Sequence, residues 1–129
     1  MGAVGLAGAA KPIEWVGSSR DDLRDFPGTV RRNIGQALYE AQLGGKSPIA
    51  KPRLGCGGAG TLEVIEDHDG NTFRAVYTVK LAGVVYVLHA FQKKAKPGVA
   101  TPRRDLDLIR SRMKLAVSHH RTNYPAESG

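Results

Sequence analysis

The stretch Thr72 to Lys94, TFRAVYTVKLAGVVYVLHAFQKK, decides the fold. It reads as two strands, Thr72–Lys80 and Val84–Gln92, joined at Leu81-Ala82-Gly83. Both are rich in Val, Tyr and Phe, which suit a pleated, half-buried surface. Along the first, Phe73, Ala75, Tyr77 and Val79 share one face and Arg74, Val76, Thr78 and Lys80 the other. The second is apolar on both faces, as in a central strand, until His89, Gln92, Lys93 and Lys94 break the pattern. A cation inside one strand, with an imidazole and two cations late in its neighbour, costs folding energy with no evident structural return. Function is expected there.

Working outward, Thr61–Glu66 is a third strand, with Leu62 and Val64 opposite Glu63 and Ile65. Asp69-Gly70 is a tight-turn signal leading back into Phe73. Upstream, Lys11–Val16 reads as a short first strand with Ile13 and Trp15 on one face. Ser19-Arg-Asp-Asp22 has the form of a capping box for a short helix. From Gly28 to Leu43, Val30, Ile34, Ala37, Leu38 and Ala41 recur at helical spacing, and Gly44-Gly45 supplies the stop. Downstream, Thr101 can cap a last helix with Pro102 at its first position, and Leu106, Ile109 and Met113 form its buried stripe. The expected fold is α+β: a small antiparallel sheet of about four strands, two N-terminal helices packed on it and a C-terminal helix, in the order β-α-α-β-β-β-α. Residues 11–117 form the domain, 1–10 a disordered leader and 118–129 a disordered tail containing His119-His120.

Composition narrows the function. At 129 residues with 41% hydrophobic content, the chain can bury one core. No apolar run approaches a membrane span, and the single Cys56 allows no internal disulfide, which suits a cytoplasmic location. The net charge of +7 is unevenly distributed. Nine Lys/Arg against two acids lie between Phe91 and Arg121, whereas the remainder is balanced at ten against ten. Such a localised field favours a polyanion, most often nucleic acid; a solvated basic helix face is the plainer alternative. The loop 46–60, KSPIAKPRLGCGGAG, raises two nucleotide motifs that both fail. Gly55-x-Gly57-x-x-Gly60 precedes a strand instead of following one, and Gly45-Lys46-Ser47 leaves a helix instead of opening one.

The element order, with certain local residues, resembles the RelE/ParE toxin superfamily in its HigB-like, phage-related branch. The carrying stretches are Lys11-Pro-Ile-Glu-Trp-Val16, Glu66-Asp-His-Asp-Gly70 with Phe73-Arg-Ala-Val-Tyr77, and Val85-Tyr-Val-Leu-His-Ala-Phe-Gln-Lys-Lys94. The last continues into Thr101-Pro-x-x-Asp105-Leu-Asp-Leu-Ile109. The resemblance implies the toxin of a type II toxin–antitoxin pair, with the RelE and HigB branches cutting messenger RNA, usually in the ribosomal A site. It implies a helix-turn-helix (HigA-like) antitoxin, the ribosome and mRNA as partners. Arg74 falls where RelE-like enzymes place an arginine on the scissile phosphate, and Lys93-Lys94 where they carry a basic pair. His89 joins these as a candidate acid/base from its chemistry. Gln92, Lys96, Arg103, Arg104, Arg110, Lys51 and Arg53 are candidate RNA or ribosome contacts.

The sequence also departs from RelE proper, which has lysines where Glu63 and Glu66 stand and a tyrosine after the basic pair. The chemistry that fits is metal-free attack of the RNA's own 2′-hydroxyl on the adjacent phosphate. No cofactor is expected, and no metal site. Plainer readings stay open: Arg74 in a cross-sheet salt bridge to Glu63 or Glu66, His89 as a hydrogen-bonded core histidine, Lys93-Lys94 as a charged strand end. Two other functions also stay open: a ParE-type inhibitor of DNA gyrase, and a basic phage-derived nucleic-acid-binding module.

Overall fold

The computed structural model describes residues 10–53, 59–94 and 101–125. In chain order its elements are β1 (Ile13–Trp15), α1 (Ser19–Arg24), α2 (Gly28–Gln42), β2 (Ala50–Pro52), β3 (Thr61–His68), β4 (Asn71–Thr78), β5 (Val85–Lys94) and α3 (Arg103–Asn123). The strands form one sheet in the order β1-β5-β4-β3-β2. The α+β architecture, a small sheet with two N-terminal helices and a C-terminal helix, is as expected, with two differences. The sheet has five strands, because Ala50–Pro52 in the glycine-rich loop pairs with Leu62–Val64; Pro52 is tolerable there because β2 is an edge strand. The sheet is also mixed: Ile13 lies beside Val85 in parallel register, while the other neighbours are antiparallel.

Alternation along β3, β4 and β5 gives the sheet two buried faces. Leu62, Val64, Phe73, Ala75, Tyr77, Val85 and Val87 pack with α1 and α2. Val76, Tyr86, Leu88 and Phe91 pack with Ile109, Met113 and Ala116 of α3. The Asp69-Gly70 turn forms as expected, both residues having positive φ (49° and 79°), with His68 opposite Asn71. That is the two-residue geometry whose twist matches the flanking strands.

Helix ends differ from the sequence reading. At α1, Ser18 occupies the cap position and its Oγ donates to Asp22 Oδ2 (2.7 Å), while Ser19 turns inward and donates to the Val87 carbonyl (3.1 Å). At α3 the cap residue is Pro102, and the Thr101 hydroxyl accepts from Arg74 instead (3.2 Å). α3 also continues to Asn123, so 118–123 is helix and not a patternless tail. His119 and Tyr86 share a hydrogen bond (2.9 Å), and His120 bonds the Ala82 carbonyl (2.8 Å), which ties that last turn to the sheet. Of the expected leader only Ala10 is described, and residues 126–129 of the tail lie outside the described residues. No described helix is long and apolar enough to cross a membrane.

β5 carries a bulge. Val76 lies opposite His89 but Tyr77 lies opposite Val87, so Leu88 is the extra residue. The exposed backbone groups there are taken up by neighbours. The Val87 carbonyl accepts from Val16 N (3.0 Å) and Ser19 Oγ, and the Leu88 carbonyl from Arg112 Nη1 (3.0 Å). The extra residue reverses the phase of all that follows. His89, Phe91 and Lys93 therefore join Arg74 and Val76 on the α3 face.

Tyr77 is fully buried, and its hydroxyl has no hydrogen-bond partner among the described residues. Burial, with the charge of Glu40 added, pushes its phenol up to about 12 from the usual 10. Between those values the unfolded chain releases this proton and the folded chain keeps it, so stability falls as pH rises. Tyr77→Phe removes an unsatisfied polar group and should raise stability by about 1 kcal/mol at neutral pH. Its advantage should widen above about pH 10, measured by urea unfolding at both pH values. A less stable Phe variant at neutral pH would show that the hydroxyl has a partner.

Candidate functional site

With the bulge in place, the α3 face of the sheet collects the charged side chains. Glu63 comes from β3, Arg74 from β4, and His89 and Lys93 from β5. The residue just past β2 adds Arg53, and the start of α3 adds Thr101 and Asp105. Glu63 is central to one group. Its Oε2 lies 3.3 Å from Arg74 Nη1 and its Oε1 lies 3.6 Å from Arg53 Nη1. The cross-sheet salt bridge considered from sequence therefore exists, and its partner is Glu63. Glu66 faces α2, where Asn33 donates to it (2.6 Å).

Among the described residues this recess offers few acceptors: Glu63, the Thr101 hydroxyl on Arg74 and, acting on Lys93 by its charge, Asp105. Glu63 is its carboxylate, shared between two guanidinium groups that are each four-fifths or more buried. The Nε–H of Arg53 and the Nε–H of Arg74 are buried without an acceptor among the described residues. Lys93 is also buried. Burial pulls its ammonium below the ordinary lysine value and Arg74 pushes the same way, while Glu63 partly offsets them. The two buried Nε–H groups without an acceptor among the described residues are uncommon and call for an explanation.

One turn into α3 a second group begins. His89 Nε2 lies 2.8 Å from Asp105 Oδ1, and His89 Nδ1 lies 3.3 Å from Arg112 Nη1. Arg112 can only donate, so its position assigns Nδ1 as acceptor and puts the ring proton on Nε2, facing Asp105. The ring stacks on Phe91 with centroids 4.6 Å apart. Both nitrogens are thus engaged, as a hydrogen-bonded core histidine requires, and Asp105 is the more exposed of the pair. Arg112 is itself buried, reaches Ser18 Oγ (3.0 Å), and its guanidinium is lowered by burial, partly offset by Asp22. A cleft of about 340 Å³ opens between α1, β5 and α3 beside His89 and Asp105, with Gln92 and Arg104 on its wall.

The other residues expected from sequence are dispersed. Gln92 lies opposite Phe73 and is exposed. Lys93 and Lys94 are the last residues of β5, which runs two residues beyond the expected end at Gln92; only the backbone of Lys94 is described. Arg103 and Arg110 flank Asp107 on the solvent side of α3, at 3.9 and 3.6 Å. Lys51 is exposed on the edge strand β2. Lys96 and Cys56 lie outside the described residues.

Sequence reasoning missed Arg112, Asp105 as the partner of His89, and Thr101 as the partner of Arg74. Arg112 carried a usable signal: it is three residues after Ile109 and four before Ala116, on the buried stripe of α3. Among the described residues no group of three His, Cys, Asp or Glu is gathered as metal ligands would be.

The family model "Phage derived protein Gp49-like (DUF891)" matches residues 21–114. A free-state mutant of the Escherichia coli toxin RelE has TM-score 0.51 and 17% identity, covering 84% of this chain and 98% of that one. The toxin–antitoxin complex RelBE2 of Mycobacterium tuberculosis has TM-score 0.42 and 18% identity, covering 67% of this chain and 95% of that one. No curated protein sequence matches the chain. With the family model spanning four of the five strands and the charged recess, the chain belongs to the Gp49-like phage-derived family and carries a RelE-like fold.

Proposed function

We propose that the chain is the toxin of a type II toxin–antitoxin pair and acts in the cytoplasm as a ribosome-dependent endoribonuclease on messenger RNA. The observation that carries this reading is the cationic recess: Arg53, Arg74 and Lys93 gathered around Glu63, with the buried Nε–H groups of Arg53 and Arg74 lacking an acceptor among the described residues. A phosphate supplies the missing acceptors, and a planar guanidinium fork matches its oxygens. The likeness to a structure of the toxin RelE supports the same class. A HigA-like helix-turn-helix antitoxin, the ribosome and mRNA are the partners this reading calls for.

The chemistry draws on the chain's own groups. The RNA 2′-hydroxyl attacks the adjacent phosphorus, its proton passes to an acceptor, and the bond to the 5′-oxygen breaks as that oxygen takes a proton. The products are a 2′,3′-cyclic phosphate and a 5′-hydroxyl. Along β5, His89 and Lys93 stand two residues to either side of Phe91, which is opposite Arg74. Such a row suits an in-line displacement, with Arg74 on the phosphate and proton carriers at its two ends. Lys93, held below the ordinary lysine value by burial and by Arg74, suits the acceptor. The 5′-oxygen takes its proton from water in the cleft, where Asp105, held in place by the His89 Nε2–H, orients that water. Lys94, Gln92, Lys51, Lys96, Arg103, Arg104 and Arg110 complete the RNA and ribosome contacts in this reading.

One observation favours a second reading. Arg74 is already bonded to Glu63 and Thr101, and both nitrogens of His89 are occupied. A chain that only binds, as a gyrase inhibitor or a nucleic-acid-binding module, would need neither side chain released. Primer extension on cellular messages after induction separates the two. Cuts in phase with codons support the nuclease; growth arrest without cuts supports the binder.

Arg74→Ala should cut cleavage about a hundred- to a thousand-fold, the usual cost of one preorganised donor to a developing charge. Arg74→Lys should recover only part of that. Arg53 still pairs Glu63 in the Ala variant, so the thermal midpoint should fall far less than activity. Loss of activity only in proportion to loss of folded protein would make Arg74 structural. On single-stranded RNA, log affinity should fall with log salt by roughly 0.7 per phosphate neutralised. Reversing Arg103 and Arg104 to Glu should flatten that slope, and an unchanged slope would remove the start of α3 from the RNA surface.

A further inference from the structure

Thr101 stands immediately before the cap of α3 and gives that helix no cap of its own. The cap position belongs to Pro102, and no side chain bonds the free N–H groups of the first turn. The turn is closed by the Pro102 carbonyl, which accepts from Asp105 N (3.0 Å) and Leu106 N (3.1 Å). Thr101 is instead buried against the sheet, and its Oγ1 accepts from Arg74 Nη1 (3.2 Å), 27 residues away. The same Nη1 donates to Glu63 Oε2 (3.3 Å), so its two hydrogens face two acceptors. The other edge of the guanidinium is unused. Arg74 Nε–H is buried without an acceptor, and no bond among the described residues uses Nη2. Nε–H and Nη2–H point the same way, as the fork that makes two parallel bonds to a carboxylate or a phosphate.

An arginine beside a carboxylate commonly turns such a fork toward it and pairs twice. Glu63 is met by single contacts only, Oε2 by Arg74 and Oε1 by Arg53 (3.6 Å). We propose that Thr101 is a positioning residue: by holding Nη1 it stops Arg74 from closing onto Glu63, and keeps the Nε–H/Nη2–H fork open for the RNA phosphate, an inference that rests on reading Arg74 as the phosphate donor. Phosphate can then be bound with both anchoring bonds of Arg74 kept. A hydroxyl suits this place better than a second carboxylate, whose charge would oppose that of the incoming phosphate. Asp105, one turn further along, holds His89 Nε2 (2.8 Å), so the start of α3 orients side chains on two neighbouring strands.

The test compares the full chain with Thr101→Val, which keeps the branched shape and removes the acceptor, and with Thr101→Ser, which keeps the hydroxyl. Inorganic phosphate is titrated against isotope-labelled protein and followed by NMR at the Arg74 Nε–H. Cleavage of message on ribosomes gives kcat and KM. Thr101→Val should weaken phosphate binding about three- to tenfold, the worth of one neutral hydrogen bond. It should lower kcat by a similar factor, with KM and the thermal midpoint near those of the wild type. Thr101→Ser should restore both. In an Arg74→Lys background, which has no planar fork to orient, Thr101→Val should change cleavage less than about twofold. Equal phosphate binding by wild type and the valine variant, a serine variant as impaired as the valine one, a loss that follows the thermal midpoint, or an undiminished effect in the lysine background would each overturn the proposal. A wild type that cuts no message, with the phosphate results as expected, would overturn the nuclease reading and support the positioning of Arg74 by Thr101.

Discussion

One extra residue in β5 decides which side of the sheet carries the charged side chains. Were Leu88 not bulged, the pairing of Tyr77 with Val87 would continue as Val76 with Leu88 and Ala75 with His89. His89, Phe91 and Lys93 would then face α1 and α2, buried with Phe73 and Ala75 and far from Arg74. A shift of one residue exchanges the two faces of a strand, so a bulge is the least change that can re-aim the end of a strand without moving its start. The surroundings are built to hold it. Ser19 comes from the first turn of α1 and Arg112 from the middle of α3, and each bonds a carbonyl next to the bulge. Two helices far apart in sequence thus fix the phase of one strand.

That arrangement explains why Arg112 is buried with no carboxylate in ion-pair range among the described residues. Its guanidinium has three neutral partners: the Leu88 carbonyl, the Ser18 hydroxyl and His89 Nδ1. It also lies against Gly17, where an added Cβ would come within 2.8 Å of it. Gly17 has a φ of +58°, so glycine is favoured there by backbone conformation as well as by space. A carboxylate partner would neutralise Arg112 but would not by itself fix the His89 tautomer. A donor-only side chain on Nδ1 does fix it, and leaves the proton on the side where Asp105 and the cleft lie. Packing and site chemistry therefore rest on the same side chain.

The parts of the fold legible in the sequence were those with a long period or strong local chemistry. The alternation of Phe73, Ala75 and Tyr77 against Arg74 and Val76, the helical stripe of α2, and the Asp69-Gly70 turn are visible without a partner strand. The bulge is not, because Leu88 and its neighbours are apolar on either parity and the pattern reads the same with or without an extra residue. β2 was hidden because three residues, one of them proline, make no pattern of their own; only Leu62–Val64 beside them makes them a strand. The C-terminal turns of α3 were hidden by polar composition, since His119 and His120 are held by Tyr86 and Ala82, both distant in sequence. Of the site, Arg74 and His89 stood out as polar residues in apolar strands. Their partners Thr101 and Asp105 could not be assigned, because a capping residue and a first-turn acid have ordinary helical reasons to be where they are.

Charge illustrates the same limit. By sequence the positive field belongs to 91–121, yet Lys93 and Arg112 within that segment are buried, and Arg103 and Arg110 share Asp107. The exposed i,i+4 and i,i+3 pairs with Asp107 are weak and easily screened, so they lower the local field more than they stabilise the helix. The N-terminal segment is balanced by count, but its charges are sorted in space. Asp22 and Asp25 turn toward Arg112 and His89, and Arg20, Arg24 and Arg31 remain together on the other side of α1. A helix six residues long can do this for Asp22, which the 100° step places away from both Arg20 and Arg24, whereas Asp21 stands one turn before Arg24. Net charge sums over a segment, whereas a partner meets a face. The distribution of positive charge over the surface is therefore set by which face each acid occupies and which cations it pairs with, a property of the three-dimensional arrangement that a running charge count cannot contain.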